Sequence, residues 1–273
     1  MDMKNLKVIT ALLICVLVTF SLAVCTSAKK SKTADYSVYT DFEGKKIGVP
    51  SGNLAEKVIL DDIKGTPVFY PGIYAALADI RSGGIDGFIT DLSTVRVLAG
   101  ASENADLKVI PVPAEIFSGA LGAFSSEHGS EQGIIDHFNA FLGELKAGGT
   151  LAELQSRWLE TVPNAGTPMP DIALSGENGT LKIVTTGNAT PFSFVGADGE
   201  LKGYSIELAL RFAQREGMNV EFVTVDFNRL IPAVQNGEAG FGIDAVTINE
   251  ERAKLVTFSD SIYDDSLGII TLK

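Results

Sequence analysis

The sequence predicts an α/β fold made of two lobes, and three observations lead to that expectation. Short apolar runs alternate with stretches of helical period over most of the chain. A segment rich in Pro, Gly and Asn, TVPNAGTPMPDIALSGENG (161–179), separates two such series. Two stretches in different halves run in the same order of strand, helix, glycine and strand, each with an acidic residue near its end: VFYPGIYAALADIRSGGIDGFITD and EFVTVDFNRLIPAVQNGEAGFGID. Alternating strands and helices are the pattern of an open sheet. Two like lobes suggest a ligand held between them, beyond the C-terminal ends of the strands. One larger sheet with coincidental internal similarity is the competing arrangement.

The elements follow in order. IGV within KKIGVPSGNLAEKVILDDI reads as a strand, with a turn at Pro50-Ser51-Gly52 and a helix from about Asn53. PVFY (67–70) is a second strand, and GIYAALADIRSGG a helix stopped by Gly83-Gly84. IDGFIT (85–90) is a strand closing on Asp91, STVRVLAGASE a helix and LKVIPV (107–112) a strand. SGALGAFSSEHG (118–129) starts as one strand, and 131–160 is helical with a break at Gly148-Gly149. After the linker the pattern restarts. LKIVTTG, NVEFVTV and FGIDAV are strands, GYSIELALRFAQREG is a helix ended by Gly217, and FNRLIPAVQNG is a helix with Pro232 in its first turn. LGIITLK is the last strand.

The N-terminus predicts export. Lys4 and Lys7 precede an uncharged apolar run, Val8 to Val24, which reads as the core of a secretory signal. A retained membrane anchor is the alternative, although the run sits at the short limit for a span. Leu22-Ala23-Val24-Cys25 looks like a lipoprotein signal with Cys25 as the lipidated residue; cleavage after Ala28 is the other route. Cys15 and Cys25 are the only cysteines, so a body exported without them has no disulfide, thiolate nucleophile or thiolate metal site. Residues 26–37 read as a tether.

The chain has 273 residues, 45% hydrophobic and 21% charged, with a formal net charge of −12. It is long enough for a substantial core. Its acidity argues against a nucleic-acid partner, which needs a basic footprint. His128 and His137 are the only histidines, and no zinc pattern, phosphate loop or nucleophile elbow is present. No cofactor and no metal are expected.

Several ordered motifs carry a resemblance. GTLKIVTTGNATPFSFVGADGELKGYSIELALRFA resembles the start of an amino-acid-type (family 3) solute-binding protein of bacterial ABC transporters. LIPAVQNG, VTINEER and VTFSDSIYDDS continue that first-lobe pattern. DFEGKKIGVPSGNLAEK resembles the entry to the second lobe, and GGIDGFITD and GTLAELQSRWL its later half. The resemblance implies a two-lobed type II periplasmic-binding-protein fold, an extracytoplasmic location, an amino-acid-like ligand and an ABC permease as partner. It also implies a monomer that meets the membrane only through a possible lipid anchor.

The order of the motifs is rotated, as in a circular permutant. The second lobe would be 38–120, the return to the first lobe 121–160, the linker 161–179, and the first-lobe core with a hinge strand 180–273. SGALGAF and LGIITLK would be the hinge strands. Two complementary half-copies from a longer tandem or fusion are the alternative.

The resemblance also assigns residues. Arg252 would take a ligand carboxylate through its guanidinium fork, with Thr247 beside it. Ala245 stands where a Gly or Ser is usual and would keep only a backbone contact. Asp91 would pair with the ligand ammonium, or cap the helix that follows it. Ser51, Gly52 and Asn53 match the turn that offers amides to the carboxylate, and Phe227 an aromatic wall. Phe192 and Phe194 default to the core. Asp244 occupies a usually neutral position and is expected either in the cleft, favouring a cationic side chain, or at a solvated strand end. Some relatives of this fold are periplasmic dehydratases of cyclohexadienyl acids. That reading needs a cleft carboxyl of raised pKa, with Asp244 the candidate. A binding module that senses rather than transports is the remaining alternative.

Overall fold

The computed structural model describes residues 35–126, 133–160 and 167–273. The export segment, Cys15, Cys25, most of the tether, His128 and the first part of the linker lie outside the described residues. Among the described residues no helix is long and apolar enough to cross a membrane.

The chain builds two α/β layers, one of six strands and one of five. β1 (Lys46–Pro50), β2 (Thr66–Tyr70), β3 (Gly87–Asp91), β4 (Leu107–Pro111) and β5 (Ser118–Leu121) come first, followed by β6 (Phe124–Ser125). After the helical segment 134–160 come β7 (Thr180–Thr185), β8 (Asn188–Ala189), β9 (Ser193–Val195), β10 (Leu201–Lys202), β11 (Asn219–Thr224), β12 (Phe241–Gly242), β13 (Thr257–Phe258) and β14 (Tyr263–Leu272). One sheet has the order β2-β1-β3-β14-β4, with β5 joined to it through β14, and the other β11-β7-β12-β6-β13, while β8, β9 and β10 form a small separate sheet. Each large sheet has three parallel strands and then an antiparallel strand, β14 or β6, that arrives from across the body. The two internally similar stretches therefore occupy equivalent places in two like sheets.

Burial on both faces explains the near-continuous apolar runs. In the first sheet Ile47, Val49, Ile89 and Ile269 pack with Phe42 and Ile59 on one face. Phe88 and Ile270, one residue out of phase, pack on the other with Ile73, Ile80 and Val95. Gly48 is needed where Phe88 crosses β1, because a Cβ there would lie 2.7 Å from its ring. In the second sheet Ile183 and Phe241 face Phe138, Phe212 and Trp158, while Val184 and Phe124 face Leu230, Val234 and Val256. Residues 134–160 thus share a core with residues 181–262 despite the linker between them.

The helix Tyr204–Glu216 buries Tyr204, Leu208 and Phe212 at four-residue spacing and stops at Gly217, φ 68°. Glu207 is buried on the same helix, where Trp158 Nε1 (2.8 Å), Arg157 and Arg211 donate to it. Phe192 and Phe194 are core, as expected.

Three strands differ from the sequence expectation. SGALGAF is two strands in different layers, broken where the amide of Gly122 donates to Val246 O. FGIDAV is a strand only at Phe241–Gly242, because Asp244 turns inward. LGIITLK was expected at the hinge. Instead Leu267–Leu272 runs between β3 and β4 inside the first sheet. The crossing lies just before it, where Tyr263–Ser266 pairs antiparallel with Leu121–Ser118. A bridge between Leu121 and Thr247 ties this ladder to the lobe of the second sheet.

Candidate functional site

The facing edges of the two lobes are held together by named contacts. Arg252 Nη2 donates to Gly52 O at 3.0 Å. The hydroxyls of Tyr74 and Thr190 meet at 2.6 Å. Gly72 lies against Asn188, so that a Cβ there would come within 3.3 Å of the amide. The lobes close over a cavity of about 40 Å³ lined by Asp91, Thr90, Thr94, Asn53, Asn188 and Phe227, with Ala245 also at its wall. That volume is room for a few waters. A second cavity of about 260 Å³ adjoins it, lined by Arg252, Gly52, Leu230, Val246 and Leu255, and Phe227 lines both.

Asp91 ends β3 and is only 7% exposed. The helix Leu92–Gly100 starts immediately after it, yet the Asp91 side chain makes no capping bond. Its Oδ2 accepts from Thr90 Oγ1 at 3.2 Å. Burial pushes the Asp91 carboxyl up to about 7, the negative charge of Asp265 pushes the same way, and Asp244 adds to it. A carboxyl of this kind in a cavity favours either a proton or an organic cation.

Arg252 sits in the short helix Glu250–Ala253, capped by Asn249, whose Oδ1 accepts from Arg252 N at 2.8 Å. Its guanidinium donates to Thr247 O at 2.9 Å and lies 5.6 Å from the Phe227 ring centroid, within cation–π range. Burial lowers its pKa, and the charges of Asp91 and then Glu251 oppose that shift. An arginine stays charged under such a shift.

Four expectations are corrected here. Asp244 is neither in the cleft nor at a solvated strand end: it is fully buried. Its Oδ2 accepts from Thr185 Oγ1 (2.9 Å), Thr186 N (2.8 Å), Thr186 Oγ1 (2.8 Å) and Ser193 Oγ (2.8 Å). Ala245 N donates to its Oδ1 at 2.8 Å, so the Ala245 amide is occupied rather than free for a ligand. In the Pro50–Asn53 turn the amide of Ser51 donates to Tyr70 O and that of Asn53 to Pro50 O, both at 3.1 Å. The Gly52 carbonyl of the same turn accepts from Arg252. Finally, the cleft carboxyl of raised pKa is Asp91, not Asp244.

The sequence therefore brings Asp91, Asn53, Phe227 and Ala245 to one cavity and Gly52 and Arg252 to its neighbour. Thr247 reaches the site through its carbonyl, while its methyl packs so close to Gly119 that a Cβ there would lie 2.5 Å away. Sequence reasoning missed Thr90, Thr94, Asn188 and the Tyr74–Thr190 contact. It also missed Asp265, although alternation along Asp265, Leu267 and Ile269 turns all three inward.

Residues 181–273 match the family model of bacterial extracellular solute-binding proteins, family 3. The arginine-binding extracellular protein of Bacillus subtilis (strain 168) is 31% identical over 99 residues, 36% of this chain and 38% of that protein. The L-cystine-binding protein of Escherichia coli (strain K12) is 32% identical over 83 residues, 30% of this chain and 31% of that protein. The glutamate/aspartate import solute-binding protein of the same strain is 26% identical over 121 residues, 42% of this chain and 39% of that protein. The chain thus matches less than half the length of these relatives. All three carry names of binding proteins rather than enzymes.

Proposed function

We propose that this protein is an extracytoplasmic solute-binding protein that captures an amino acid or a similar small polar amine between its lobes for an ABC transporter. The observation that carries the reading is the pairing of unlike charges across the cleft. A buried carboxylate, Asp91, faces the cavity from one lobe, and a guanidinium, Arg252, stands at its edge on the other. A free amino acid offers the matching ammonium and carboxylate.

In this reading Asp91 takes the ammonium and Arg252 takes the carboxylate. Thr247 holds Arg252 in place, and Phe227 is the wall between the two charges. The Arg252–Gly52 bond occupies one guanidinium edge. A ligand carboxylate would exchange for it and draw on the same fork geometry. Because only the closed form touches the ligand from both sides, binding favours closure, and a membrane permease would read the closed shape.

The rotated order of segments is part of the proposal. The core shared by residues 134–160 and 181–262 supports a single chain that completes both lobes, rather than two half-copies. Export and a monomeric state belong to the same reading.

An enzymatic dehydratase reading has one supporting observation, the raised pKa of Asp91. Binding accounts for the same residue through charge pairing and needs no further group. The test is calorimetric titration of the full chain with L-arginine, L-lysine, L-histidine, L-glutamine, L-glutamate and L-cystine, repeated with Arg252→Ala. Binding that the substitution abolishes supports the reading; a folded protein that binds none of them overturns it.

A further inference from the structure

The hinge strand carries a buried acid that the ligand cavity does not contain. Asp265 lies on β14 where it pairs with Gly119 of β5, and it is 8% exposed. Its Oδ2 accepts from Ser93 Oγ at 2.5 Å and from Ser93 N at 3.3 Å, and its Oδ1 from Ser266 N at 2.8 Å. Ser93 is two residues beyond Asp91. Leu267 stands directly opposite Asp91 in the β3–β14 ladder. Asp265 is two positions before Leu267 and so points to the same face, the diagonal neighbour of Asp91 at roughly 7–8 Å between backbone positions. Two buried carboxylates thus share one face of the sheet, Asp91 lining the cavity and Asp265 outside its lining.

Such a pair resists holding two negative charges at once. The groups around it do not cancel the repulsion. Asp244 faces Asp91 from the other lobe and adds to it; Arg252 faces Asp91 and opposes it. Arg96 faces Asp265 and opposes it, and Tyr263 on the same strand is neutral. The Asp265 carboxyl is raised first by its burial, against its bonds to Ser93 and Ser266 and the charge of Arg96.

We propose that Asp265 couples ligand capture to proton release: Asp91 and Asp265 hold one proton between them in the empty cleft, and the ammonium of the ligand replaces it. Where the pair carries that proton, it leaves to solvent as the ammonium enters, so the charge of the buried cluster is unchanged. Asp265 is a positioning residue in this device; it acts through Asp91 and does not touch the ligand. The inference rests on the proposed function and adds to it a dependence of affinity on pH, with preference for amines basic enough to stay charged.

With Asp91 pushed up to about 7, affinity should rise about tenfold from pH 6 to pH 8 and then level off, since only the ionised form accepts the cation. Calorimetry of the full chain with L-arginine at pH 7, in phosphate and in Tris, counts the protons released. About half a proton per ligand is expected, close to one at pH 6 and close to none at pH 8. Asp265→Asn keeps an acceptor for Ser93 but removes the second charge, and should reduce the tenfold rise to less than about threefold. Binding with no proton release at any of these pH values overturns the inference and leaves the proposed function intact. So does an unchanged pH slope in the variant. Absence of binding to every amino acid of the panel overturns both. The wild-type proton count needs no variant to fold.

Discussion

The guanidinium of Arg252 donates to the carbonyl of Gly52 at 3.0 Å, joining residues 200 positions apart on opposite lobes. The contact ties one lobe to the other across the cleft. Arg252→Ala should therefore do two things. Affinity for L-arginine should fall at least about 100-fold, as expected when a hydrogen-bonded charge in a desolvated site is truncated. The empty protein should also show a larger radius of gyration by small-angle scattering. An unchanged radius would mean that other contacts hold the lobes.

The hydroxyls of Tyr74 and Thr190 form the second crossing contact. Tyr74→Phe deletes it at a cost to the closed form of about 1 kcal/mol. Ligand dissociation followed by stopped flow should quicken about fivefold, with little change in melting temperature. A large loss of stability instead would assign the hydroxyl to folding.

Asp91 has a folded-state pKa of about 7, above the value of an unfolded aspartate. The native state therefore holds this proton more tightly than the unfolded one between about pH 4 and 7. The stability it contributes is complete below about pH 4 and is lost as pH rises through 7, by up to ~4 kcal/mol. Asp91→Asn should match the wild type in denaturant midpoint at pH 4 and exceed it at pH 8, while losing ligand affinity. A variant less stable at pH 8 would count against a buried ionisable group here.

Glu207 is fully buried and takes donors from Trp158, Arg157 and Arg211. Glu207→Ala leaves the buried Trp158 Nε1 without its acceptor and should cost ~1–3 kcal/mol. Trp158 is the sole tryptophan, so its fluorescence reports the change directly. Ligand affinity of the remaining folded protein should be unaltered.

Gly203 adopts φ 124°, and a Cβ there would lie 2.3 Å from Phe192 O. Gly203→Ala must shift the entry to the Tyr204–Glu216 helix, with a loss of ~1–3 kcal/mol expected in chemical denaturation. A neutral result would show that the β9–β10 hairpin moves freely.

The strands were legible where an interior strand is buried on both faces, as in IGV and in IVT of β7, which forces those runs to be almost wholly apolar. The like order of two stretches likewise appeared in the sequence, and it is what delivers Asp91 and Asp244 to matching sheet edges. Their different environments were not legible. Asp91 meets Thr90 and a cavity, whereas Asp244 meets Thr185, Thr186 and Ser193, which lie more than fifty residues away from it. No local pattern encodes that shell. The split of SGALGAF into two layers was hidden for a similar reason: Gly122 is turned by Val246, a partner remote in sequence. The place of LGIITLK in the middle of a sheet follows from its unbroken burial, a signal that was present and was read as a boundary.

β14 is continuous from the crossing at Tyr263 to the middle of the first sheet at Leu272. Relative rotation of the lobes therefore twists this strand together with its partner Ser118–Leu121, which crosses to the second sheet through Gly122. The restoring stiffness resides in the ladder between Tyr263–Ser266 and Ser118–Leu121, and any twist enters the sheet at an interior strand, between β3 and β4, rather than at an edge. Such a coupling behaves as a short spring whose twist reaches both neighbours of the strand, β3 and β4.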